Sequence, residues 1–198
     1  MKTNYLLFAL LLIATKVYSQ DKEEIGNFIF DKQERTVLWV KVFDLNKDFD
    51  LDKLSSYFKE KKILTVEFQD DKFIKGVFIE RPIDLQKYGY SSMKVPLVLV
   101  DVQQFFDFSI EVKNGKYRVV LTKLGYVDDG VLTDLISKSI IGSTSTTAKG
   151  NRESYNGEFS FTKKNQVRTR ITEVLKILDV FYTDVFTIKD SMTVSSDW

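Results

Sequence analysis

The stretch Phe108 to Leu121, "FSIEVKNGKYRVVL", limits the folds open to this 198-residue chain more than any other segment. Apolar and polar residues alternate on both sides of Asn114-Gly115. Asn-Gly is the strongest two-residue signal for a type I′ turn, because both central positions need φ > 0. The register set by that turn pairs Val112 with Tyr117, Ile110 with Val119 and Phe108 with Leu121, all on one face. The other face pairs Glu111 with Arg118 and Asp107 with Thr122. A slip of one residue would turn the apolar set into water, so the register is strongly specified. The opposed charges of Glu111 and Arg118 add roughly 0.2–1 kcal/mol. These features predict an antiparallel sheet with one covered face and one polar face.

The covered face must be built without covalent help. The chain contains no cysteine, and it opens "MKTNYLLFALLLIATKVYSQ". Lys2 precedes an unbroken apolar run from Tyr5 to Ala14, too short to span a bilayer, which takes about 20 residues. Ala14, Val17 and Ser19 then suit signal peptidase, so residues 1–19 read as a secretory leader cleaved near Ser19-Gln20. The expected location is exported, periplasmic or extracellular. Lipid attachment to a cysteine is ruled out, and so is a disulfide framework. A mature chain of about 180 residues can bury roughly 70% of its unfolded surface, and of the chain's 16 Phe and nine Tyr all but Tyr5, Phe8 and Tyr18 remain to supply the bulk. Loss of Lys2 and Lys16 with the leader leaves a nearly neutral chain, without the basic footprint of a nucleic-acid binder.

Further elements follow from periodicity. "DKEEIGNFIFDKQER", within residues 20–35, is a charged lead-in whose structure the sequence leaves open. Thr36 to Asp44, "TVLWVKVFD", reads as a mostly buried strand with Val40, Val42 and Phe43 inside. Leu51, Leu54 and Phe58 fall at helical spacing, with Asp48 or Asp50 as N-cap. Lys59, Lys61 and Lys62 suit that helix's C-terminus. A second hairpin turns at Asp70-Asp71, with Gly76 a bulge or a point of close approach. A loop carrying Pro82 and Pro96 leads to the last hairpin, where the adjacent Phe105 and Phe106 predict a bulge or a strand break near Gln103-Gln104. Residues 127–160 form a loose insertion, Ser/Thr/Gly-rich in its second half. A closing helix, with Thr162 as its start, puts Val167, Ile171, Val174, Leu175, Leu178, Phe181 and Tyr182 on one stripe. Residues 36–190 are expected to form a single domain, followed by a tail over 191–198. The fold class is α+β: a mostly antiparallel curved sheet with helices on one face, in the order β-α-β-β-β-β-α.

With "VLWVKVFD" and its helix, "DDKFIKGVF", and "FSIEVKNGKYRVVLTKLGY", the chain resembles an exported Bacteroidetes domain of unknown function with a TATA-binding-protein-like fold. The family is domain-of-unknown-function family 4468. Its I-x-G turn and its dGrYR hairpin are matched by Ile74, Gly76, Gly115, Tyr117 and Arg118. The resemblance covers roughly Thr36 to Tyr126 and the closing helix. It implies the fold and an exported location, and carries no chemistry; a fold shared with a DNA-binding protein transfers no function.

Chemistry is limited by what the chain lacks. Histidine is absent, which removes Ser-His and Cys-His nucleophile systems. Without Cys, zinc ligation could draw only on carboxylates. Asp44, Asn46, Asp48, Asp50 and Asp52 recur like the start of a calcium loop, but Phe49 stands where such a loop needs Gly and Ser55 where it needs Glu. Acidic N-caps at a strand-to-helix connection are the plainer reading. Ser56 and Lys59 form an S-x-x-K without its companion motifs. Asp70/Asp71 and Asp128/Asp129 sit where turns favour acidic residues. Tyr88 and Tyr90 could anchor a partner or pack their loop onto the sheet. Leu132 to Ile141 could be a lid or a docking segment. No catalytic, metal or cofactor-binding residue and no cofactor is assigned.

The expectation is therefore a non-enzymatic binding or assembly module of the bacterial cell envelope. Its partner is an unknown envelope protein or ligand, with no nucleic acid and no transmembrane segment in the mature chain. Docking would use the uncovered sheet face or residues 127–160. The alternative is a carboxylate-based hydrolase acting on envelope polysaccharide or peptide, which would need two carboxylates converging in a deep pocket.

Overall fold

The computed structural model describes residues 21–45, 49–62, 64–70, 72–78, 81–100, 102–128 and 152–188. At its centre is the Asn-Gly hairpin, β7 (Gln103–Lys113) and β8 (Lys116–Asp128). Asn114 and Gly115 have φ of 53° and 69°, the left-handed geometry that a type I′ turn demands. Val112 opposes Tyr117, Ile110 opposes Val119 and Phe108 opposes Leu121, as the alternation predicts. Arg118 donates to Glu111 at 2.6 Å on the other face.

Strands are added on both sides of this hairpin, and every pairing is antiparallel. On the β8 side lie β3 (Thr36–Asp44), β2 (Phe28–Asp31) and β1 (Lys22–Ile25). On the β7 side lie β5 (Phe73–Phe78) and then β4 (Leu64–Gln69). Short strands β6 (Arg81–Pro82) and β9 (Arg152–Tyr155) extend the pairing along β7 and β8. The crossover from β3 to β4 runs through helix α1 (Leu51–Glu60). The chain closes with a short helix α2 (Asn156–Ser160) and the long helix α3 (Thr172–Phe186). The fold is α+β, and β3-α1-β4-β5-β7-β8-α3 reproduces the expected order.

One face of the sheet holds the core. Phe28, Phe30, Trp39, Ile74, Phe106, Phe108, Ile110, Tyr117, Val119 and Leu121 are buried there beneath Leu54 and Phe58 of α1 and the stripe Val174, Leu178, Phe181, Tyr182, Val185 and Phe186 of α3. Gly76 is a point of close approach. A Cβ there would stand 1.9 Å from the Thr65 carbonyl oxygen and 2.9 Å from the Phe108 ring, beside a bulge in β4 between Val66 and Phe68.

The structure corrects or completes five expectations. First, β3 is half-buried rather than mostly buried: Val37 and Trp39 face the helices, whereas Val40 is partly covered and Val42 is 54% exposed. Helices cover only one face, so alternate residues of β3 point to water. Second, the bulge falls in β8. Pairing passes from Asp107–Thr122 to Phe105–Gly125, so Phe106 opposes both Lys123 and Leu124, with Lys123 at φ 50°. Strand β7 runs straight through, leaving Phe106 in the core and Phe105 half-buried on the other face.

Third, α3 starts at Thr172 rather than near Thr162. The Thr162 hydroxyl accepts from the amides of Lys164 and Gln166 in a turn with Asn165 at φ 56°, and Val167 bridges Phe161. Fourth, the lead-in, left open by the sequence, is ordered: Phe28 and Phe30 alternate with Ile29 and Asp31, and β1–β2 joins the sheet. Fifth, the end of the segment read as a loose insertion forms β9 and α2. Helix α2 is held where Gly157 lets it approach the Arg35 carbonyl, since a Cβ at Gly157 would stand 2.0 Å from that oxygen. The segment read as a leader, residues 1–19, lies outside the described residues, as does Gln20.

Two predictions follow. Gly76→Ala should destabilise the chain by about 1–3 kcal/mol through overpacking, read as a lower urea midpoint with an unchanged slope. Burial raises the ionisation of the Tyr117 and Tyr182 phenols above the ordinary tyrosine value. Both groups keep their protons in the folded chain where an unfolded chain would lose them. Stability should therefore be complete below about pH 10 and fall above it, each tyrosine contributing a slope of up to about 1.4 kcal/mol per pH unit. Urea unfolding across that range, with absorbance reporting phenolate, checks the sign.

Candidate functional site

Two surfaces remain once the core is accounted for. The first is the sheet face opposite the helices. Cross-strand pairing aligns Phe68, Lys75, Ser109, Val120 and Val40 in one row and Phe73, Glu111, Arg118 and Val42 in the next. Phe68 is 50% exposed. The Lys75 ammonium lies over the Phe68 and Phe73 rings at 6.0 and 5.9 Å, within cation–π range. A shallow hollow of about 450 Å³ at the hairpin end is lined by Val42, Glu111, Lys113, Asn114, Lys116 and Arg118. The face thus carries two apolar flanks, separated by the polar stripe of β7 and bordered by cations at the turn.

The second surface is a groove of about 420 Å³ on the helix side. Phe78, Pro82, Phe181 and Val185 give it apolar walls, and Lys61, Arg81, Asp84, Lys87, Tyr88 and Asp184 give it polar ones. The two carboxylates come from different elements, Asp184 from α3 and Asp84 from the loop after β6. Both already have partners: Lys87 Nζ and the Tyr88 hydroxyl donate to the same Asp184 oxygen at 2.5 and 3.0 Å, and Asp84 accepts from the Lys87 amide at 3.1 Å. Partial burial, then the Asp184 hydrogen bond, raise Tyr88 well above its ordinary value, so this phenol stays a donor through the neutral range. Lys61 Nζ donates to the Val185 and Thr187 carbonyls at 2.6 and 3.3 Å, where a cation complements a helix C-terminus.

The candidates read from the sequence are dispersed. Asp50 is the N-cap of α1, accepting from the Lys53 amide at 2.8 Å. Asp52 accepts from Gln69 Nε2 at 2.6 Å and Asp44 from Lys116 at 2.8 Å, while 46–48 lie outside the described residues. Among the described residues no three potential metal ligands cluster. Ser56 and Lys59 are exposed on α1. Asp70 closes the β4–β5 turn by accepting from the Lys72 and Phe73 amides, both at 2.8 Å. Those bonds hold its carboxyl below the ordinary value. Asp71 and residues 129–151, with Leu132 to Ile141, lie outside the described residues, and so does the Asp128 side chain. Tyr88 and Tyr90 pack their loop against the core. The groove had no sequence signal, because Lys87 and Asp184 stand 97 residues apart. No described helix is long and apolar enough to cross a membrane.

No family model and no curated protein matches the chain. Among solved structures it is similar to a TBP-like protein from Parabacteroides distasonis, at 9% identity and a TM-score of 0.41, over 77% of this chain and 91% of that one. It is also similar to a DUF4468 family protein from Bacteroides ovatus, at 15% identity and a TM-score of 0.43, over 86% and 93% of the two chains. These are the fold and family that the hairpin motifs resemble.

Proposed function

We propose that this chain is an exported, non-enzymatic binding or assembly module of the bacterial cell envelope. Its open sheet face holds a partner protein that presents carboxylates beside apolar side chains. The observation that carries this reading is the pair of apolar flanks on a sheet face that no described helix covers, Val40, Val42 and Val120 on one side and Phe68 and Phe73 on the other, with Lys75 and Lys113 interspersed and Arg118 paired with Glu111 between them. An apolar patch bordered by polar groups marks interaction sites on soluble proteins. Cations among such residues favour acidic partners and repel basic ones. Export is inferred from the leader-like residues 1–19.

The hydrolase alternative would draw on Asp84 and Asp184. Such a mechanism needs a carboxyl free to exchange a proton with the substrate, whereas one Asp184 oxygen already accepts from both Lys87 Nζ and the Tyr88 hydroxyl. This supports the binding reading over the catalytic one.

The test is photo-crosslinking in the cells that produce the protein, with a benzophenone side chain at position 42 or at the exposed helix position 180. The proposal expects a mature chain beginning at Gln20. It also expects one discrete adduct from position 42 with an envelope protein, absent from position 180 and lost when Arg118→Glu and Lys75→Glu are added. Retention of the leader in a cytoplasmic chain, no adduct, or equal adducts from both positions would overturn it.

A further inference from the structure

We propose that the groove between α3, β5 and the loop after β6 binds a small amphiphilic carboxylate, with the Arg81 guanidinium as its charge partner. This inference is independent of the open face and of the partner assigned to it.

The argument starts from the charges lining the groove. Among the described residues, Lys61, Arg81 and Lys87 face Asp84 and Asp184, an excess of one positive charge. Lys87 is tied to Asp184 and Lys61 to the end of α3, so both cations are already engaged. Arg81 differs: among the described residues no carboxylate pairs with it. Its backbone is fixed, because Arg81 pairs with Gln104 of β7. A guanidinium on a fixed strand offers a planar fork of donors that fits a carboxylate bidentately.

The rest of the lining defines the other end of the ligand. Phe78, Pro82, Phe181 and Val185 are hydrocarbon, and the Phe181 ring stands edge-on to Phe78 with centroids 5.7 Å apart. About 420 Å³ falls within the size range of small-molecule sites, which combine apolar walls with a few placed polar groups. A single excess charge matches a monoanion better than a phosphate dianion, and the apolar wall needs a hydrocarbon body. A medium-chain or aryl carboxylate meets both requirements. Asp184 contributes by holding Lys87 and the Tyr88 hydroxyl in place at the rim, which keeps the loop positioned before a ligand arrives.

Octanoate is the probe, titrated into the isotope-labelled chain and followed by amide chemical shifts. The proposal expects saturable shifts at Phe78, Arg81, Lys87 and Val185 below the concentration at which octanoate self-associates. Methyl octanoate, acetate and octyl phosphate should each bind more weakly. Arg81→Gln should weaken octanoate binding roughly tenfold or more, Arg81→Lys less, and Arg118→Gln on the open face not at all. Binding that is non-saturable, insensitive to Arg81→Gln, equal for the methyl ester, or seen only with self-associated octanoate would overturn it. Tighter binding of octyl phosphate would also overturn it, because the charge argument would then fail.

Discussion

The attachment of α3 to one face of the sheet is the constraint on which the remaining structure depends. A helix end leaves four carbonyls without intrahelical partners, and here three of them are met by side chains from other elements. Val185 accepts from Lys61, Phe186 from the Tyr117 hydroxyl at 2.7 Å, and Thr187 from the Tyr57 hydroxyl at 3.2 Å. Further along the helix, one Asp179 oxygen accepts from both Asn27 Nδ2 and Trp39 Nε1 at 2.7 Å, and Lys41 donates to the Thr183 hydroxyl. The polar ties therefore reach β3, β8, α1 and the β1–β2 turn. Each is worth about 0.5–1.5 kcal/mol net, less than the roughly 1.5–3 kcal/mol gained by burying one large apolar side chain. Burial of Phe181, Tyr182, Val185, Phe186 and their neighbours accordingly supplies most of the stabilisation. The hydrogen bonds set where along the sheet the helix sits.

Fixing α3 on one side determines what is left on the other. Both long helices pack on the Trp39–Tyr117 face, so no described helix covers the opposite face, and Val42 and Phe68 are exposed there. The same geometry creates the groove. Once α3 is seated, Asp184 is brought to the loop after β6, and the end of α1 delivers Lys61 to the same place. Each surface is thus a consequence of the one packing decision, and neither requires a sequence motif of its own.

This explains what the sequence discloses. The central hairpin is legible because its information is local: Asn114-Gly115 specifies the turn, and period-two alternation specifies the face. The Asp50 cap and the Gly76 close approach are legible for the same reason. Strand β9 and helix α2 are not, because they are held by pairing with β8 and by the fit of Gly157 against Arg35, contacts that leave no periodic trace. The start of α3 misleads because Val167 continues the helical spacing while Thr162 and Asn165 form a turn. The open face was anticipated as the uncovered side of a half-buried sheet, but its apolar flanks were not, since Val40 and Val42 read as core. The groove had no trace at all, being assembled from β5–β6, the following loop, α1 and α3.

Oxidative footprinting of the full chain by hydroxyl radicals and mass spectrometry is the most direct test of this one-sided architecture. The account predicts rapid modification of Phe68 and of Met93, which is almost fully exposed. Trp39, Tyr182 and Phe186, all buried beneath or within α3, should be protected until the chain unfolds. Modification of Trp39 and Tyr182 at the rate of Phe68 would contradict it, because α3 would not then cover the sheet.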